Sequence, residues 1–252
     1  LPRHAEAARR LLAEGHAYED DGAIRFRMPD EGATAWEDAI KGRIEYPNDK
    51  LEDLVLLRSD GRPTYNLAAA LDDADSGISH VIRGEDHVPN TPKQIRILGA
   101  HSRAPAVYAH VPNLFGPAGK KLSQRYGAVS VEEFREKGYL APALMNYLAL
   151  LGWSYDDRTT EMSRDELVER FTLDRVGSSP ATFDYAKLDW LNGVYLRELP
   201  PGEFADTLVA YLREQGFEGD EDTIRASAPL VQEKISRLEE YPGFAGFFFQ
   251  RV

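Results

Sequence analysis

Cysteine is absent from the 252-residue chain. That excludes a disulfide framework and any thiolate-ligated zinc, and it fits a reducing cytosol. No apolar run approaches the roughly 20 residues needed to span a bilayer, so no membrane segment is expected. Internal repeats, low-complexity tracts and Ser/Gly linkers are absent as well. The chain opens Leu1-Pro2-Arg3-His4, with neither an initiating Met nor the layout of a signal peptide, which reads as a fragment or a trimmed chain. Positive charge is scarce: 30 Lys and Arg stand against 42 Asp and Glu, a net −12 at pH 7. Such acidity argues, at first sight, against a nucleic-acid binder.

What remains is ordinary globular material. Hydrophobic residues make up 42% and charged residues 29%, so the chain is neither disordered nor fibrous. Residues 3–15 have helical periodicity, with Ala7, Leu11 and Leu12 on one face and Gly15 as the stop. Alternation at Ile24–Met28 and Arg43–Tyr46, and the denser Asp53–Arg58, predict strands, so residues 20–58 form a small β-rich unit. A short helix is predicted from Thr64 to Leu71, then a buried strand at Ile78–Ile82. Asn90 or Thr91 caps a helix that runs to about His101 with Pro92 at its first position, and Val107–Phe115 is a further strand. Strand–helix–strand order implies a right-handed parallel crossover, whose ligands bind at the carboxyl ends of the strands. From residue 130 the chain is mostly helical, with Val131–Lys137, Ala141–Leu151, Arg164–Phe171 and Tyr185–Leu191 followed by longer helices over 203–215 and 221–238.

Three clusters carry candidate chemistry. Arg83-Gly84-Glu85-Asp86-His87 follows the predicted strand; its arginine suits a carboxylate gripped by two parallel hydrogen bonds, and the bland alternative is a solvated loop capping the next helix. Gly116 to Arg125 brings Lys120, Lys121, Ser123 and Arg125 together. That set suits a polyphosphate but is not a Walker loop, and a basic surface turn accounts for it equally well. Pro63-Thr64-Tyr65-Asn66 places three hydrogen-bonding side chains at a helix entry, where most such clusters are turn chemistry. The six histidines show no metal spacing: His4 and His16 fall on a helix surface and its end, His80 and His110 inside strands as structural residues. Asp72-Asp73-Ala74-Asp75 has the donors for a metal but reads rather as a solvated helix end, and Tyr147, Leu148, Trp153 and Trp190 read as core.

The order of the clusters resembles one family. Asp60 to Asn66, Asp72-Asp73, His80 to His87, Asn90-Thr91-Pro92, Lys121 to Arg125, Tyr147 to Trp153 and Lys187 to Gly193 are together similar to glutamyl-tRNA synthetases, over nearly the whole chain. The resemblance implies a class I aminoacyl-tRNA synthetase, a ligase that activates L-glutamate with ATP and Mg2+ and transfers it to the terminal adenosine of tRNA(Glu). It implies Tyr65, Asn66, Arg83 and His87 as glutamate-binding residues and Asp86, Leu114, Lys121, Leu122, Ser123, Gln124 and Arg125 as ATP-binding. Lys121, Ser123, Gln124 and Arg125 match the signature loop that stabilises the triphosphate and so count as catalytic.

The implied fold is α/β with an all-α C-terminal part. Residues 1–62 correspond to a partial acceptor-binding insertion and 63–129 to the second half of a Rossmann-type parallel sheet with the signature loop. Residues 130–200 correspond to a helical stem-contact region and 201–252 to the start of an anticodon-binding helical bundle. A cytoplasmic monomer, with no metal-ligating residues and no zinc in this chain, is expected.

Three features depart from the pattern. The family's first, His-containing signature is absent, so the chain alone is expected to be inactive. The Tyr18–Gly22 segment is short, either a true deletion or missing residues. Gln124 stands where the family has a lysine, at a cost of about 2–4 kcal/mol by analogy with losing an oxyanion donor. The alternatives are the paralogue that glutamylates a tRNA base, against which the helices after 203 argue, a glutaminyl-tRNA synthetase, and a non-catalytic tRNA- or nucleotide-binding module with a degenerate loop. The acidity does not exclude tRNA, because a contact needs only a local basic strip such as Arg3, Arg9 and Arg10 or Lys120, Lys121 and Arg125.

Overall fold

The computed structural model describes residues 2–117, 119–122 and 130–249. They form two compact units: the first runs through Asn113 and takes in Val176–Ser178, and the second comprises Leu114–Arg175 and the chain from Ser179 onward. Among the described residues no helix is long and apolar enough to cross a membrane.

The first unit begins with α1 (Pro2–Ala13), which buries His4, Ala8 and Leu11 along one stripe. His4 is therefore not a surface residue. It shares the core-facing stripe, and its Nε2 lies 2.8 Å from Asp72. Strands β1 (Ala17–Asp20) and β2 (Ala23–Phe26) form an antiparallel hairpin with Asp20 opposite Ala23. Asp21 and Gly22, at φ 48° and 75°, make the connecting two-residue turn with two positive φ values, which suits Asp-Gly. The short Tyr18–Gly22 segment is thus a closed hairpin. β3 (Ala33–Asp38) and β4 (Gly42–Pro47) form a second hairpin, and β5 (Leu54–Leu57) joins the first through β2. Helix α2 (Tyr65–Asp75) ends in the Asp72–Asp75 run, where Asp72 and Asp75 pair with Arg3 and Asp75 with Arg103. β6 (His80–Gly84), α3 (Thr91–Ala100) and β7 (Val107–Val111) follow.

The crossover is parallel as expected, with His80 opposite Val107 and Gly84 opposite Val111. The sheet is mixed, in the order β4-β3-β7-β6, because β3 adds parallel to β7 at Asp38–Tyr108. β3 and β7 are the inner strands, and β7 buries Tyr108, Ala109 and His110. β6 is an edge strand rather than the buried strand expected. Among the described residues it pairs on one side only, and His80 and Ile82 are exposed. The boundary expected at 62/63 falls inside this unit, since β3 and β4 share a sheet with β7. One apolar core, including Leu11, Phe26, Leu56, Leu67 and Ile97, joins α1, the β1-β2-β5 sheet, α2 and α3.

The expected strand Val107–Phe115 is broken at Pro112, which has no N–H to donate. Its last part is β8 (Leu114–Phe115), in the second unit, and pairs parallel with β9 (Ala181–Thr182). Helices α4 (Val131–Glu136), α5 (Ala141–Leu150), α6 (Arg164–Arg170) and α7 (Tyr185–Glu198) surround a core of Phe134, Tyr147, Phe183, Leu188 and Leu191. Trp153 is buried with them, whereas Leu148 and Trp190 are 44% and 47% exposed. Each projects from the flank of a helix whose buried stripe runs through Leu144 and Tyr147 or through Leu188 and Leu191. α8 (Pro201–Glu214), α9 (Glu221–Val231) and α10 (Tyr241–Ala245) pack around Phe204, Leu208, Ile224 and Tyr241. α9 stops seven residues short of the expected 238. There the chain turns so that Gln232 Nε2 donates to the carbonyls of Leu196 and Leu199, capping the end of α7.

Candidate functional site

The carboxyl end of β6 carries Arg83, and a 3-10 turn over Glu85–Asn90 carries Asp86 and His87. Gly84 stands between them. A Cβ there would lie 2.5 Å from Asp86 Oδ1, so the glycine lets the Asp86 carboxylate fold back against the strand end. Glu85 anchors the turn to the sheet. It accepts from Lys41 Nζ at 2.6 Å and from the Asn113 backbone and amide at 3.0 and 2.7 Å. The Lys41 ammonium, with these N–H groups, holds the Glu85 carboxyl below the usual carboxylate range.

Arg83 is held on two sides. Its Nε donates to His110 Nε2 at 3.2 Å and its Nη2 to Thr91 Oγ1 at 2.8 Å. Its guanidinium carbon lies 5.2 Å from the centre of the Tyr108 ring. A guanidinium has five N–H groups; the described residues engage two, leaving both on Nη1 and one on Nη2 without a partner among them. That is the fork that binds a carboxylate with two parallel hydrogen bonds. Beside it, Tyr65 opens α2 with its ring 53% exposed, and its Oη is 3.4 Å from His87 Nδ1. Asn90 Nδ2 approaches the same nitrogen at 3.3 Å. Asn66 is tied down instead: its Oδ1 accepts from Gln94 Nε2 at 3.4 Å, linking α2 to α3. Asp86 is exposed at the mouth of this cluster.

The structure therefore brings Tyr65, Arg83, Asp86 and His87 to one strand end. Leu114, Lys121 and Leu122 belong to the second unit, where they form one tight hairpin. Leu114 O accepts from Leu122 N at 2.8 Å, Phe115 bridges to Lys121, and Gly119 turns at φ 68°. Lys121 is exposed on it. Ser123, Gln124 and Arg125 lie outside the described residues. No group of three or more His, Cys, Asp or Glu is placed to hold a metal ion among the described residues.

Sequence reasoning misses what stands behind Arg83. His110, fully buried, is flanked by Tyr108, stacked at 6.1 Å between ring centres, and by the edge of Trp36 at 6.5 Å. Its Nδ1 meets Asp38 Oδ2. Burial pushes the Asp38 carboxyl up, but the bonds from the His110 ring and from the N–H groups of His110, Lys41 and Ile40 outweigh it and leave it below the ordinary range. Burial pushes the His110 imidazole down, against the pull of Asp38. The polarity of Ala33–Asp38 does not mark the pair in the sequence; the alternation of buried Thr34, Trp36 and Asp38 appears only in the structure.

The model of "tRNA synthetases class I (E and Q), catalytic domain" matches residues 2–190. Glutamate–tRNA ligase of Paraburkholderia phymatum is 45% identical over 233 residues, covering 90% of this chain and 49% of that protein. The Nitrosomonas eutropha glutamate–tRNA ligase is 46% identical over 231 residues, covering 91% and 50%. A crystal structure of a glutamate tRNA ligase from Elizabethkingia meningosepticum, in complex with its amino acid, superposes with a TM-score of 0.81 at 29% identity, over 98% of this chain and 52% of that one. The chain thus spans about half the length of the curated relatives it matches.

Proposed function

The chain belongs to the class I tRNA synthetases of the glutamate and glutamine branch, and on that premise we propose that the protein carrying it is a glutamate–tRNA ligase. The reaction has two steps. A glutamate carboxylate oxygen attacks the α-phosphorus of ATP and pyrophosphate leaves; a hydroxyl of the terminal adenosine of tRNA(Glu) then attacks the activated carbonyl and AMP leaves. Neither step needs a protein nucleophile. Both need positioned reactants and fixed positive charge.

One observation carries the reading: a guanidinium at a strand's carboxyl end is held by His110 and Thr91, and among the described residues three of its N–H groups have no hydrogen-bond partner. Arg83 takes a glutamate carboxylate, with Tyr65 and His87, 3.4 Å apart, as further glutamate-binding residues. Asp86 serves the nucleotide, and the family resemblance assigns the same role to Leu114, Lys121, Leu122, Ser123, Gln124 and Arg125 of the signature segment. The described side chains do not offer a metal-binding group; magnesium arrives on the phosphates of ATP, and no step here runs through it. Residues 1–62 face the acceptor end of tRNA, 63–129 supply the second half of the nucleotide fold, 130–200 the stem contact and 201–252 the start of the anticodon-binding bundle. A cytoplasmic place of action follows from this reading.

The test is aminoacylation by the full-length protein with labelled glutamate or glutamine. Esterification of tRNA(Glu) with glutamate, and an Arg83→Ala variant whose KM for glutamate rises about tenfold or more, are expected. Labelled glutamate recovered on an internal nucleoside after nuclease digestion, rather than on the 3′-terminal adenosine, would instead mean glutamylation of a tRNA base and would replace the proposal. An unchanged glutamate KM in Arg83→Ala would remove Arg83 from the site.

A further inference from the structure

We infer that Asp38 and His110 are positioning residues for Arg83, forming a directional relay that fixes the guanidinium before the substrate arrives. The inference rests on the reading of Arg83 as the glutamate-binding group and adds what makes that group selective.

The relay crosses three adjacent strands, β3, β7 and β6. His110 and Arg83 are direct partners in the parallel ladder. Asp38, at the end of β3, cannot rotate: its Oδ1 accepts from the backbone N–H groups of Ile40, Lys41 and His110, each at 3.1 Å. Its Oδ2 is thereby aimed at His110 Nδ1, and Trp36 Nε1 approaches the same oxygen at 3.4 Å. A carboxylate accepts and does not donate, so the imidazole proton sits on Nδ1. Nε2 is then a lone pair, and it faces Arg83 Nε–H at 3.2 Å.

Polarity is therefore set one way along the chain of bonds. The carboxylate selects the tautomer, the tautomer presents an acceptor, and the acceptor orients the guanidinium. Thr91 closes the arrangement, accepting from Arg83 Nη2 at 2.8 Å with its Oγ1 3.1 Å from His110 Nε2 and 3.4 Å from the His87 carbonyl. Burial, which keeps the imidazole neutral, supports the same assignment. The groups facing the ring are Asp38, Arg83, Thr91, Tyr108 and Trp36, with His87 at a distance. A freely rotating arginine would have to lose its rotamer freedom on binding; one already held by its neighbours does not. What this device supplies is ground-state binding of the amino acid, so it should act on KM rather than on kcat.

The experiment compares Asp38→Asn, His110→Ala, His110→Gln and Arg83→Ala in the full-length enzyme, reading KM for glutamate, KM for ATP, kcat for ATP–pyrophosphate exchange and the melting temperature. Asparagine keeps the volume and the Oδ1 acceptor, but its amide faces His110 Nδ1. It drives the ring proton to Nε2, against Arg83 Nε–H. The expected result is a glutamate KM raised about tenfold, with ATP KM and kcat within about twofold. His110→Ala should match it, and His110→Gln, whose Oε1 restores an acceptor near the Nε2 position, should recover most of the loss. The double variant Asp38→Asn/His110→Gln should behave as His110→Gln alone, because the carboxylate acts only through the ring. If the glutamate and ATP constants rise together in Asp38→Asn, or if glutamine rescues nothing, the pair is structural and the relay is refuted. A full glutamate effect in Arg83→Ala with none in Asp38→Asn also refutes the relay while sparing the assignment of Arg83. No effect in Arg83→Ala overturns that assignment itself. Should Asp38→Asn fail to fold, the His110 pair alone decides.

Discussion

Replacing Gly84 by alanine separates function from stability at the candidate site. Gly84 has φ −63° and ψ 149°, a conformation open to any residue, so the methyl adds no backbone strain. It does add a collision: the new Cβ falls 2.5 Å from Asp86 Oδ1, well inside contact distance, and 3.7 Å from Asp86 Cγ. Nothing else lies within 4 Å, so the only group that must move is an exposed carboxylate. Swinging it to another rotamer costs about 0.5–1.5 kcal/mol at most, which translates to a melting shift of roughly 1–6 °C. The functional cost is larger if Asp86 holds the nucleotide. A hydrogen bond involving a charged group contributes about 1.5–3 kcal/mol, or roughly 10- to 150-fold in the constant for ATP. The assay is ATP–pyrophosphate exchange with ATP and glutamate varied separately, beside a thermal melt. The expected pattern is a raised ATP KM, a nearly unchanged glutamate KM and an intact fold. In an Asp86→Ala background the Gly84→Ala change should be silent, since the group it displaces is gone. A wild-type ATP KM would refute the reasoning, and so would a collapse in melting temperature.

In the second unit, Gly138→Ala should destabilise by about 2–4 kcal/mol, read as a urea midpoint. Gly138 sits at φ 78°, and its Cβ would meet Leu238 Cβ at 2.6 Å and the backbone nitrogens of Leu238 and Glu239 at 2.7 and 2.9 Å. Gly99→Ala in α3, where nothing lies within 4 Å, should instead stabilise by about 0.5–1 kcal/mol. His110 is held below the ordinary histidine range, so the unfolded chain takes up a proton first as pH falls below about 6.5. Stability should therefore drop between pH 6.5 and the lower native value and level off beneath it. His110→Gln should remove that part of the acid loss in urea midpoints compared at pH 7.5 and 5.5, leaving the share of His101, which burial also depresses. Gln124→Lys in the full-length enzyme should raise the rate of glutamate-dependent ATP–pyrophosphate exchange, on sequence grounds alone; an unchanged or slower rate would show that Gln124 is no defect.

Chemistry that depends on neighbours along the chain is legible in the order of the amino acids. The Arg83–His87 run after a strand, the helix opening near Pro92, the Asp-rich end of α2 and the apolar stripe of α1 all follow from local pattern, because turns, caps and periodicity are settled within a few residues. The same holds for the order of the motifs that carry the family resemblance.

Tertiary structure decided which strands stand side by side. The apolar run Ile78–Ile82 predicts a strand, found at His80–Gly84, but whether that strand is central or at an edge depends on partners drawn from elsewhere, and among the described residues the partner arrives on one side only. Tyr147 and Leu148 are equally apolar in sequence, yet rotation about one helix axis buries the first and exposes the second. The relay behind Arg83 is the clearest case. Asp38 and His110 are 72 positions apart, and their contact exists only because β3 adds parallel to β7. The sequence by itself determined that an arginine would stand at a strand's end. The fold determined which way it points, since hydrogen-bond direction is a property of neighbours in space.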